Sequence, residues 1–237
     1  MTSHTVTSEI GKGSARAFSK ALLKDLQALE KMLENGLIES GVRRFGCEQE
    51  MFLVNRAWRP APVAMEVLEW LDGEAFTTEL ARFNLEMNVE PMILGGACLS
   101  TLQESIEELL DMAREAASEE GADVVLAGIL PTLGKSDLTL DNISPMPRYY
   151  ALNESLTRMR GRAYRLQIQG RDELQIEHDS VMLEACNCSC QVHLQVDAAE
   201  FAAMYNVSQA MTGPVLAAAV NSPILFGKRL WAETRIA

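Results

Sequence analysis

The sequence is short of positive charge: 21 lysines and arginines stand against 33 aspartates and glutamates, a formal net charge of −12. Such a chain repels phosphate backbones and anionic bilayers, which argues against nucleic acid or a membrane surface as the main partner. Anionic substrates would have to be met locally, by arginines or bound cations. No apolar run reaches the about 18 residues that read as a membrane span, and no secretory or transit signal is present. The five cysteines do not make a disulfide framework. Cys186, Cys188 and Cys190 alternate and are expected as core-facing thiols in a reducing cytosol, so the expected location is cytoplasmic. Gly11-Lys-Gly-Ser14 lacks the Gly-x-x-x-x-Gly-Lys-Ser/Thr spacing of a phosphate loop, and no strand precedes it. Internal repeats and low-complexity tracts are also missing.

What is present is apolar enough to build a large core: 48% of 237 residues are hydrophobic, sufficient for one large domain. Residues 1–12 are small and polar and are expected to be flexible, with 13–237 forming a single domain. The chain stops at Trp231-Ala-Glu-Thr-Arg-Ile-Ala237 without a cap or tail, and the expectation is a domain incomplete at its C-terminus.

Three stretches sort their side chains onto two faces, as strands do. In 179–196 one parity reads Cys186, Cys188, Cys190, Val192, Leu194, Val196. The other reads Asn187, Ser189, Gln191, His193, Gln195. In 45–54, Glu48 and Glu50 share a face. In 83–90, Asn84, Glu86, Asn88 and Glu90 oppose Phe83, Leu85, Met87 and Val89. A sheet with one apolar and one acid-amide-imidazole side is expected.

Helical spacing places an amphipathic helix over 15–37 (Leu22, Leu26, Leu29, Leu33) and a short one near 65–71. A further helix is expected to about Ser118, opened by a capping box of Ser100 and Gln103. Residues 124–129 read as a buried strand. A helix follows Arg148-Tyr149-Tyr150, a hairpin turns at Gly170-Arg-Asp172, and a last helix spans about 198–220. Helices and strands intermix without strict alternation, which favours α+β with a mostly antiparallel sheet and helices on its apolar face.

Glu48 and Glu50 lie about 6–7 Å apart on one side of a strand, and neither acidic face carries lysine or arginine. Such carboxylates raise one another's pKa unless cations neutralise them. Glutamates with a histidine suit Mg²⁺ or Mn²⁺, and paired ions can clamp a phosphoryl group in transfer. The plainer alternative is a solvated strand face with a structural histidine. Three thiols in line on one strand cannot wrap a tetrahedral zinc ion.

Gly46-Cys-Glu-Gln-Glu50 resembles the Gly-x-Glu-x-Glu strand of glutamate–cysteine ligases and related carboxylate–amine ligases of the glutamine-synthetase-like fold. The resemblance continues in order through Asn88-Val-Glu-Pro91, Gly128-Ile-Leu-Pro-Thr132, Pro147-Arg-Tyr149, Ser189-Cys-Gln-Val-His193, Asn221-Ser-Pro223 and Glu233-Thr-Arg235. It implies a curved antiparallel sheet, ATP, and Mg²⁺ or Mn²⁺. ATP would phosphorylate a carboxylate, usually the γ-carboxylate of glutamate. An amine such as cysteine would then displace phosphate, the chemistry of glutathione biosynthesis. Carried over by position, Glu48, Glu50, Glu86 and His193 resemble metal ligands, with Glu90 an alternative to Glu86. Arg235 resembles an arginine on the ATP phosphates, with a catalytic role. Arg148 resembles a residue holding a substrate carboxylate, with Asn221 near the pocket. Two other expectations stand beside the ligase: a catalytically silent metal- or ligand-binding module of this fold, and a guanidino phosphotransferase.

Overall fold

The computed structural model describes residues 12–71 and 74–237. The expected flexibility of residues 1–12 lies, but for Lys12, outside the described residues. The chain runs α1 (Lys12–Glu34), β1 (Arg44–Val54), α2 (Ala64–Trp70), β2 (Phe76–Thr78), β3 (Asn84–Ile93), α3 (Cys98–Glu119) and β4 (Asp123–Val125). It continues through α4 (Pro147–Arg160), β5 (Tyr164–Gln169), β6 (Glu173–His178), β7 (Cys190–Leu194), α5 (Phe201–Ala218), β8 (Ile224–Leu225) and β9 (Lys228–Arg229). It is a mixed α+β fold in which every strand ladder is antiparallel.

The main sheet is organised by β1. One edge of β1 pairs with β3, which carries β2 beyond it; the other edge is shared by β7, along Phe45–Gln49, and β4, along Phe52–Val54. Strict alternation explains the burial. Met51 and Leu53 of β1 join Leu85 and Met87 of β3 in a core covered by α2 and α3. The helix α3 approaches closely because its buried stripe includes Ala113, Ala116 and Ala117.

On the opposite face, Phe52 and Val54 enter a second core with Phe83, Ile143, Met182, Cys186, Cys188 and residues of the β5–β6 hairpin. The hairpin tip is held at Gly170, where a Cβ would lie 2.5 Å from the Leu230 Cα. Farther along β1 the same face carries Glu50 and Glu48, where the apolar filling ends.

Four expectations are corrected. The cysteine row does not run along one strand: Val181–Cys186 is a 3₁₀ helix, and β7 begins only at Cys190. Cys186 and Cys188 are therefore buried in the second core, whereas Cys190, Val192 and Leu194 are exposed. The strand expected over 124–129 shrinks to β4, with Leu126 exposed. Ser100 lies inside α3, whose N-cap is Ala97 and makes no side-chain cap. Finally, α1 and α5 form near their expected positions but do not cover the sheet's apolar face: Leu22, Leu26, Leu29, Phe201, Tyr205 and Met211 are exposed.

Candidate functional site

In antiparallel pairing, directly opposed residues point to the same face. Glu50 lies opposite Glu86, Glu48 opposite Asn88, and Thr77 of β2 opposite Glu86. On the other edge of β1, Glu48 is opposite Gln191 and Gly46 opposite His193. The polar parity of three strands thus converges on one surface.

Two acidic loci result. The first brings Glu50, Glu79 and Glu86 together, with one carboxylate oxygen of each within 4.8 Å of the others. All three are half-buried. Glu79 follows β2 directly and reaches the cluster because β2 pairs with β3. Burial, reinforced by the Glu50 charge and by contact with Glu86, pushes the Glu79 carboxyl up to about 8. Burial also raises Glu50, although the Ser189 backbone N–H donates to its Oε2 at 2.8 Å and opposes the shift. Glu86 accepts from the Asn88 amide at 3.1 Å. Glu184 keeps much of its surface in solvent, yet enclosure of its carboxyl raises it as well, and its charge acts on Glu50.

The second locus is a recess of about 260 Å³ lined by Glu48, Glu74, Asn88, Glu90 and His193. His193 Nε2 lies 3.0 Å from Glu48 Oε1. Glu90 therefore neighbours Glu48, whereas Glu86 belongs to the three-carboxylate cluster. Beside Glu90 the pairing slips: Phe45 opposes Met92 but Cys47 opposes Val89, so β3 carries an extra residue there.

The donor set fits a divalent cation. It consists of carboxylate oxygens, the hard ligands that Mg²⁺ and Mn²⁺ take. Three half-buried carboxyls, with the proton affinity of Glu50 and Glu79 raised by burial, are what such a site looks like before a cation neutralises it. Asn84, 2% exposed and on the same face as Glu86, gives its Nδ2 to Cys188 Sγ at 3.3 Å but has no partner for its Oδ1. A buried carbonyl oxygen without a donor is costly unless something positive meets it.

Arg148 opens α4 beside this cluster. Its Nη2 donates to Thr78 Oγ1 and the Thr78 carbonyl, both at 3.2 Å, and to Tyr149 Oη at 2.6 Å, while its buried Nε has no partner. Arg235 donates from Nε to Glu233 at 2.6 Å and from Nη1 to the Cys188 carbonyl at 2.7 Å. Burial opposes ionisation of Glu233, but hydrogen bonds from Ser222, Arg235 and the Asn221 N–H outweigh it and hold that carboxyl low. Arg235 also borders a largely apolar cavity of about 350 Å³ with Glu184, Asn187, Leu156 and Tyr164. Asn221 is engaged through its backbone, its carbonyl accepting from Gly128 N–H at 3.0 Å, and does not line that cavity.

Sequence reasoning missed Glu79 and Glu184. Glu79 stands just past a three-residue strand, where no alternation can announce it. Glu184 sits in a 3₁₀ turn that reads as strand.

The fold and this surface define a class: an α+β protein whose antiparallel sheet gathers carboxylates on one face. The model of glutamate-cysteine ligase family 2 matches residues 44–237, and the chain belongs to that family. Among curated proteins none matches the chain.

Proposed function

We propose that the chain carries the working face of an ATP- and Mg²⁺-dependent ligase. It would join a carboxylate, the γ-carboxylate of glutamate, to an amine, cysteine or a related amino compound. The observation that carries this reading is the convergence of Glu50, Glu79 and Glu86 within 4.8 Å in a member of a ligase family.

A bound divalent cation supplies positive charge to phosphate oxygens during phosphoryl transfer. Glu50, Glu79 and Glu86 would hold one such ion, and Glu48 with His193 a second. Glu79 must release its proton for this, because only the carboxylate ligates well. The free Oδ1 of Asn84 is a further oxygen on the same face. Arg148, anchored to Thr78 and Tyr149, would present its positive charge to a substrate carboxylate, a charge-assisted contact. Arg235 is oriented by Glu233 and the Cys188 carbonyl, leaving its other N–H groups to meet ATP phosphates as negative charge develops. The apolar cavity beside Arg235 would exclude water from the substrates.

A second reading, a metal-binding module without turnover, is favoured by Arg235, two of whose donors are already taken. ADP release from ATP that requires both a carboxylate and an amine substrate supports the ligase. Saturable Mn²⁺ binding with no such release supports the module instead.

A further inference from the structure

Cys47 and Cys190 stand apart from the other thiols. Their Sγ atoms lie 3.4 Å apart, bridging β1 and β7. Cys47 is opposite Val192 and Cys190 opposite Gln49, so the two are diagonal neighbours on the helix-side face of the sheet. Cys47 is 2% exposed, whereas Cys190 is open to solvent. Glu48 and His193, one strand position from Cys47 and three from Cys190, project from the opposite face and touch at 3.0 Å.

We propose that Cys47 and Cys190 are a site of reversible oxidation, converted by a low-molecular-weight disulfide into an inter-strand disulfide joining β1 to β7. Cys190 is the entry point because it is accessible. Its thiolate attacks one sulfur of the small disulfide RSSR, forming Cys190–S–S–R, and the departing RS⁻ takes up the proton that Cys190 gave up. Cys47 Sγ then loses its proton and attacks Cys190 Sγ. The second RS⁻ leaves and is protonated. Two protein thiols are oxidised, and RSSR is reduced to two RSH. Cys47, 2% exposed, is closed to outside reagents and meets only a sulfur delivered beside it, at the 3.4 Å that separates the two Sγ atoms.

The geometry also makes the bond labile. Diagonal neighbours on paired strands lie about 7–8 Å apart at Cα, just beyond what a disulfide spans without backbone movement. Closing the sulfurs to about 2.05 Å draws the helix-side faces of β1 and β7 together. It opens the opposite face, where Glu48 meets His193. Strained, accessible disulfides are the readily reduced ones. The consequence for cation binding rests on the site reading above; the disulfide itself does not.

The test is incubation of the whole chain with hydroxyethyl disulfide, followed by peptide mapping without reduction. The expected result is a Cys47–Cys190 cross-linked peptide that dithiothreitol removes. Cys190→Ser should take up no reagent at Cys47, and Cys47→Ala should stop at a mixed disulfide on Cys190. A mixed disulfide that persists on Cys190 in the unmutated chain, a cross-link to a different cysteine, or no reaction at all would overturn the proposal. Oxidised protein should also bind Mn²⁺ about tenfold more weakly than reduced, the scale of disturbed metal-site partners. Equal affinity with the cross-link mapped would refute the opening of the Glu48–His193 face. Absence of Mn²⁺ binding in the reduced protein would count against the site reading alone, since the peptide map decides the thiol pair by itself.

Discussion

A carboxyl enclosed beside two others keeps its proton to higher pH, and burial with Glu50 and Glu86 holds Glu79 up to about 8. Unfolded, Glu79 titrates near its ordinary value, about 4.3; folded, it holds the proton until about 8. The folded state therefore binds more protons between these limits. Its stabilising contribution is complete below about pH 4 and lost as pH rises through about 8. Glu50 shifts in the same direction. Without divalent cations, the melting temperature should fall between about pH 5 and pH 8.5. Glu79→Gln, which cannot ionise, should flatten that decline in calorimetric scans. A parent melting temperature that climbs over the same window would contradict the enclosure of these carboxyls. Glu48, Glu50 and Glu86 could be read from the sequence because strict alternation with Met51, Leu53, Leu85 and Met87 marks their face. Glu79 could not, because its place depends on how β2 pairs with β3.

Elements divide by the same test. The long strands β1 and β3 announce themselves, since one parity fills a core under α3. The β5–β6 hairpin shows through Gly170-Arg-Asp172. The cysteine stretch misleads: its alternation is genuine, but local 3₁₀ turns at Val181–Cys186 carry the first thiols into the second core before β7 starts. Two substitutions probe these packings without touching a carboxylate. Ala113→Leu forces an isobutyl group into the α3–sheet contact and should cost about 1–3 kcal/mol, read as a lower denaturation midpoint at unchanged Mn²⁺ affinity. Gly170→Ala puts a methyl into the Leu230 backbone and should cost a similar amount, about 1–3 kcal/mol. A wild-type midpoint for Gly170→Ala would show that the hairpin tip does not pack as described.

At the scale of the whole molecule, β1 separates two cores, and the carboxylates occupy the part of its face that the second core leaves unfilled. This is why three acidic residues stay half-buried in a protein that already carries an excess of 12 negative charges. The molecule is expected to gain stability from any ion that neutralises them. A hundredfold excess of Mn²⁺ over its Kd should add about 2.7 kcal/mol, seen as a rise in melting temperature absent with monovalent salt at equal ionic strength. The covering of the sheet by α2 and α3 was legible in helical spacing. The exposure of α1 and α5 was not, because an apolar stripe on a helix does not say what it packs against.

Whether Glu50, Glu79 and Glu86 hold one cation between them is decided by a Mn²⁺ titration followed by calorimetry. It should be run near pH 7, in buffers of differing ionisation enthalpy, on the parent chain and on Glu79→Gln. In the parent, saturable binding that releases protons is expected. In the folded variant, binding should weaken by about tenfold or more and the proton release should fall away. Equal affinity and equal proton release in the two proteins would contradict the shared site.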